Sequence, residues 1–196
     1  MCSRYGDEMF AGLRLRVRTV ANTLAALALL GAHTAPTRAA EARVERIDLV
    51  AAGFYDAAAA HVVRATAAPG AAGGKSNDLA DVALMNPPPA ATARVGIGFG
   101  VRFRTSGEPR GGQATLRSVW KIPAPGIHNP GNDNTYRASV VDFTTAIGSV
   151  QWRGYGFDQP WEVVPGTWTI EIWQGDRKLL EHSFTIGAEP APTAKD

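Results

Sequence analysis

An all-β fold, built as a β-sandwich with a partly open β-barrel as the alternative, is what this 196-residue sequence predicts. Three observations carry the prediction. From Arg43 onward the apolar residues recur mostly with period two rather than the period of a helix. Gly (21) and Pro (13) interrupt that pattern at short intervals, as turns between strands do. Helical periodicity is nearly absent, which leaves packed sheets as the way to build a core.

The elements follow in order. Ile47, Leu49, Ala51, Gly53 and Tyr55 alternate with partly polar neighbours and form a first strand. His61–Thr66 reads as a second strand. Residues 67–77, rich in Ala, Gly and Pro, read as a flexible loop, and Leu79–Met85 as a short strand or helical turn. Val95, Ile97, Phe99, Val101 and Phe103 share a face opposite Gly96, Gly98, Gly100, Arg102 and Arg104. Such a row of glycines leaves room for a ring or another strand to pack closely. Ala114, Leu116, Ser118, Trp120 and Ile122 make another face, and Thr135–Thr144 and Ser149–Phe157 are strand-like with less regular alternation. At the end, Trp168, Ile170 and Ile172 face one way along a strand, as do Leu180, His182, Phe184 and Ile186 along the next. Gly175-Asp176 between them is a two-residue hairpin loop, since glycine accepts positive φ. Residues 43–187 are thus expected to be one domain, and residues 188–196, without apolar periodicity, a disordered tail.

Residues 1–42 read as an export signal, disordered or helical. Arg14, Arg16 and Arg18 precede a 14-residue apolar run, Thr19–Ala32, which is too short to span a bilayer. Cleavage is expected after Ala39 or Ala42, and Met9 is an alternative start. The expected location is periplasmic or secreted, with no membrane span after processing. From Arg43 on, fifteen Lys and Arg face fifteen Asp and Glu, a net of zero against +2 for the whole chain. A neutral domain without a basic stripe argues against nucleic acid as partner. The one cysteine, Cys2, lies in the leader, so neither a disulfide nor a cysteine metal site is expected.

Several motifs reduce to ordinary structure. In Gly70–Ser76 three residues separate the first glycine from the Gly-Lys pair, where a phosphate loop needs four. Gly96–Gly100 lacks the last glycine of a dinucleotide fingerprint, its place being taken by Val101. His61, His128 and His182 have no zinc spacing, and Asn132-Asp133-Asn134 lacks the rest of a calcium loop. No cofactor or metal is expected, and no catalytic residue stands out.

One feature rises above this background. Trp152, Tyr155, Phe157, Trp161, Trp168 and Trp173 fall within 22 residues. Alternation sends Trp168 to the core and Trp173 to the opposite face beside Glu171. Exposed rings next to carboxylates stack on sugars or anchor a protein partner, although rings such as these more often simply pack.

The stretch Gln151–Trp173, with its continuation Leu179–Ile186, resembles a bacterial family of domains of unknown function, DUF3859. Pro89–Phe103 and Pro123–Pro130 are similar more loosely, so the resemblance spans most of Val44–Ile186. It implies a small, mostly β domain and supplies neither an activity nor catalytic residues. A closing hairpin of this kind also occurs in immunoglobulin-like domains, so by analogy the sandwich is expected to be immunoglobulin-like. The function expected from all this is that of an exported, non-catalytic module binding an unknown protein or envelope component through a strand edge or aromatic patch. The alternative is a carbohydrate-binding module, with Tyr155, Trp161 and Trp173 as platform and Glu162 and Glu171 as acceptors. A hydrolase comes third, because no acid–base or nucleophile constellation is visible.

Overall fold

The computed structural model describes residues 42–85 and 92–188. The expected signal segment, residues 1–42, lies outside them except for Ala42, and the expected tail, residues 188–196, except for Ala188. The chain forms β1 (Arg43–Asp56), β2 (His61–Ala67), β3 (Lys75–Ala80), β4 (Ile97–Glu108), β5 (Gln113–Lys121) and β6 (Ile127–Asn129). Then follow β7 (Asn134–Tyr136), β8 (Ala138–Ala146), β9 (Val150–Gly156), a 3-10 turn at Pro160–Glu162, β10 (Gly166–Gln174) and β11 (Arg177–Ile186).

Seven of these strands make two antiparallel sheets, β1-β4-β9 and β11-β10-β5-β8. The chain crosses between sheets at β4–β5, β8–β9 and β9–β10, and β8 pairs with β5 instead of β9. Each sheet keeps its own edges, so the molecule is an immunoglobulin-like sandwich and not the barrel held as the alternative. The strands β2-β3 and β6-β7 form two separate ribbons.

The period-two pattern has the expected consequence. Phe99, Val101 and Phe103 from β4, Leu116 and Trp120 from β5, and Trp168, Ile170 and Ile172 from β10 are all buried between the sheets. Phe99 is the hub: its ring centre lies 5.3 Å from that of Trp120 and 5.4 Å from those of Trp168 and Phe184. On the other face of β4 the glycine row makes the room it was expected to make. A Cβ at Gly98 would fall 2.2 Å from the Tyr55 ring, and one at Gly100 would fall 2.7 Å from the Trp152 indole. Tyr55 and Trp152 meet edge to face over this glycine floor, with ring centres 5.4 Å apart.

The hairpin read from Gly175-Asp176 is present: Gln174 pairs with Arg177, and Gly175 alone takes positive φ, at 55°. Two other expectations need correction. The Ala/Gly/Pro stretch 67–77 is shorter as a loop, since Ala67 closes β2 and Lys75–Asn77 open β3. Its middle is packed, with Ala71 and Ala72 buried, the Ala72 N–H facing Ser139 Oγ at 3.4 Å, and the Gly70 carbonyl accepting from the Val140 N–H at 2.8 Å. Leu79–Met85, expected as one short element, is split: β3 ends at Ala80, and Met85 donates its N–H to the Phe54 carbonyl along the edge of β1.

These contacts place the β2–β3 ribbon. β1 and β11 lie on one side of the sandwich, which leaves β8 and β9 as the edges of the other side. The ribbon covers this second side and is tied to both sheets. Asn129 Nδ2 donates to the Ala72 carbonyl at 3.0 Å, Lys75 pairs with Asp158 at 3.4 Å, and Arg102 Nη2 donates to the Val82 carbonyl at 2.7 Å.

Candidate functional site

Beneath the ribbon lie a cavity of about 280 Å³ and, continuous with its walls, a groove of about 1090 Å³. Ser76 and Leu79 from β3, Val141 from β8, and Trp152 and Arg153 from β9 line both. The smaller cavity is also lined by Trp120 and Tyr155 from the core and by Asp158 and Glu162 from the segment after β9. Small-molecule sites commonly combine aromatic walls with a few polar groups in this way.

Strand β9 supplies the chemistry. Its residues Arg153 and Tyr155 pair with Val101 and Phe99 of β4, so they share the inward face, whereas Trp152 points outward over the glycines. Among the described residues two buried N–H donors on this strand have no hydrogen-bond partner, Trp152 Nε1 and Arg153 Nε, while the buried Tyr155 OH faces the Glu162 carboxylate. An unpartnered buried donor costs about 1–3 kcal/mol, and native structures hold few of them. Both donors belong to residues that line the smaller cavity.

The Arg153 guanidinium lies 3.8 Å above the centre of the Phe143 ring. Its Nη1 donates to the Trp152 carbonyl at 3.0 Å, and its carboxylate neighbour, Asp78 Oδ1, stands off at 3.8 Å. Asp78 is engaged elsewhere, accepting from Arg64 at 2.6 and 2.9 Å. Burial pushes the Arg153 pKa down, and Asp78 works against that. Burial pushes the Tyr155 phenol well above its ordinary value, and the nearby Glu162 and Asp158 carboxylates add to the shift. Burial also raises Glu162, opposed by backbone N–H groups. Those groups belong to Asp158 and Gln159, which donate to Glu162 Oε2 at 2.8 and 2.9 Å and close the 3-10 turn.

The five residues singled out from the sequence do not form one platform. Tyr155 and Glu162 share the cavity, although the Tyr155 ring itself packs into the core, 4.8 Å from Trp168. Trp161 is half-buried against the core and lines neither space. Glu171 and Trp173 lie on the outer face of the four-stranded sheet, where Glu171 accepts from Lys121 at 2.7 Å, Trp173 Nε1 at 3.1 Å and Lys178 at 3.2 Å. Burial alone would raise the Glu171 pKa, but these hydrogen bonds bring it down to about 2. Sequence reasoning missed Arg153 as a site residue, and Trp152 beyond its membership of the aromatic run. The available signal was an arginine at an inward position of a strand, between Gln151 and Tyr155.

Among the described residues no three His, Cys, Asp or Glu side chains come together as a metal site, and no helix is long and apolar enough to cross a membrane. A family model, described as a domain of unknown function (DUF3859), matches residues 75–186. No curated protein matches the chain. Among solved structures, an immunoglobulin-like protein from Pseudomonas aeruginosa is 23% identical, with 75% of this chain and 97% of that one covered and a TM-score of 0.49. A β-D-glucoside glucohydrolase from Trichoderma reesei is 12% identical, with 72% of this chain and 19% of that one covered and a TM-score of 0.33.

Proposed function

From the premise that the chain belongs to the DUF3859 family, we propose that it is an exported, non-catalytic binding module that takes a small polar ligand, or a polar group of an envelope component, beneath the β2–β3 ribbon. The observation that carries this reading is the pair of buried donors on β9 without a partner among the described residues, Trp152 Nε1 and Arg153 Nε. The carboxylates near the cavity favour binding over catalysis. Glu162 Oε2 is fixed as acceptor for two backbone amides, and Asp158 is paired with Lys75. A sugar platform on the outer sheet face has less support, because Glu171 and Trp173 are bound to each other and to lysines.

A ligand present at 100 times its dissociation constant adds about 2.7 kcal/mol of stability, a rise of roughly 5–10 °C in Tm for a domain of this size. Thermal unfolding against envelope glycans, amino acids and organic acids is expected to give such a rise. Asn77→Tyr, which places a ring in the cavity wall, is expected to abolish it. A rise that survives this substitution would move the binding site elsewhere.

Export rests on the charged and apolar leader, and cleavage after Ala39 fits the domain better than cleavage after Ala42. Ala42 is buried, donates its N–H to the Gln113 carbonyl at 3.2 Å and accepts from Gln174 Nε2 at 2.7 Å. N-terminal sequencing of the protein recovered from the envelope or medium is expected to begin at Ala40. An uncleaved chain confined to the cytoplasm would end the export reading.

A further inference from the structure

We infer that the ligand carries a carboxylate, and that Arg153 and Trp152 are the residues that hold it. The inference rests on the reading of the cleft as a binding site and adds the chemical class of what binds there.

Four arginines line the groove, and they are partnered differently. Arg64 binds Asp78 through Nε and Nη2, Arg117 binds Asp142 through the same two atoms at 2.7 and 2.9 Å, and Arg102 donates to the Val82 carbonyl. Arg153, like Arg102, donates to a backbone carbonyl, that of Trp152, but its Nε–H is buried without an acceptor among the described residues, and its carboxylate neighbour stands at 3.8 Å and already serves Arg64. A water molecule would satisfy that N–H but would leave the guanidinium charge unmatched, whereas a carboxylate does both. The Phe143 ring behind the guanidinium holds its plane in place, so the fork is set before anything binds.

Trp152 Nε1 is the second donor without an acceptor on the same strand. Indole nitrogen only donates, so whatever meets it must be an acceptor too. The two side chains leave β9 on opposite faces and both line the cavity, so they meet different acceptors of one ligand, the carboxylate at Arg153 and a second oxygen at Trp152. Charge balance favours a carboxylate over a phosphate. Lys75 lines the same cavity but is paired with Asp158, and Glu162 lines it too, so two acids outweigh that lysine and oppose a singly charged group less than a doubly charged one. Those acids also call for hydrogen-bond donors elsewhere on the ligand, as in a hydroxy acid or sugar acid. The cavity, about 280 Å³, has the volume of about nine water molecules, which limits the bound group to that size.

A matched set of probes separates the alternatives: glucuronate, glucose and glucose 6-phosphate, together with the hydroxy acids lactate and glycolate, titrated calorimetrically into the whole protein. Glucuronate or a hydroxy acid is expected to bind, with glucose at least tenfold weaker. Arg153→Gln is expected to weaken carboxylate binding at least tenfold and Trp152→Phe about threefold to tenfold, the latter keeping the ring and removing only the N–H. Should Arg153→Gln not fold, Arg153→Lys keeps the charge over Phe143, removes the Nε donor and is expected to show the same loss. Binding by glucose or the phosphate alone would overturn the carboxylate and leave the cleft as a binding site. Carboxylate binding that is indifferent to all three substitutions would overturn the assignment to Arg153 and Trp152. No binding by any probe would overturn both readings and leave ordered water as the partner of the buried donors.

Discussion

At Gly100 the sheet has no room for a methyl group, because a Cβ there would lie 2.5 Å from the Arg153 carbonyl oxygen and 2.6 Å from the Gly154 Cα. Backbone on a neighbouring strand cannot move aside as a flexible side chain would. Gly100→Ala is therefore expected to cost about 3 kcal/mol in urea denaturation. Gly111 is constrained differently, by a φ of +77° with open space around it, so Gly111→Ala is expected to cost only about 1 kcal/mol. Glu171 gives a pH-dependent case. Its folded-state pKa is held down to about 2, from an ordinary value of 4.5, so its stabilising effect is present above 4.5 and is lost as pH falls through 2. Glu171→Gln is expected to cost about 1–2 kcal/mol at neutral pH, with wild type and variant converging as the pH of the denaturation series approaches 2. The cross-strand pair Arg117–Asp142 lies on the surface and is solvated, so Asp142→Asn is expected to change stability by less than about 1 kcal/mol.

Among the elements, the β2–β3 ribbon stands apart. Every residue of β2 is exposed, and among the described residues its only strand partner is β3. Few buried contacts mean a low cost of local opening. In hydrogen exchange its amides are expected to exchange at least about a hundredfold faster than those of β4, β5 and β10, and to slow when a ligand occupies the cleft; equal protection in the free protein would mean the ribbon is part of the core unit. The same element explains where the sequence pattern lost its grip. β10 and β11 were legible because Trp168, Ile170 and Ile172 alternate up to a Gly-Asp loop. β3 was not, because Lys75-Ser76-Asn77-Asp78 has no apolar alternation, and what holds it is the ladder to β2 and the Arg64–Asp78 pair. β6 and β7 span three residues each, too short for any period to register.

For the molecule as a whole, the sandwich was legible in the strand faces, but its division into three and four strands was not. The pairings that decide it join distant segments, such as Trp120 with Ile170 and Phe54 with Phe99, and nothing local in either partner specifies the other. The candidate site shows the same limit. Tyr155 and Glu162 stood out as a ring and a carboxylate in an aromatic run, whereas Arg153 matters because the ribbon, some 80 residues earlier in the chain, folds over β9. The course of the chain through the sandwich has a mechanical consequence. It enters at Ala42, where Gln174 beside the β10–β11 turn binds it, and leaves at Gly187, which is bridged to Thr92 just before β4 begins. Entry and exit therefore lie at opposite ends. Tension between them draws β1 lengthwise against β4, and the 12 paired positions of that ladder must slip together instead of parting one by one. Pulled at these two points, the sandwich resists through shear of that ladder and not through peeling.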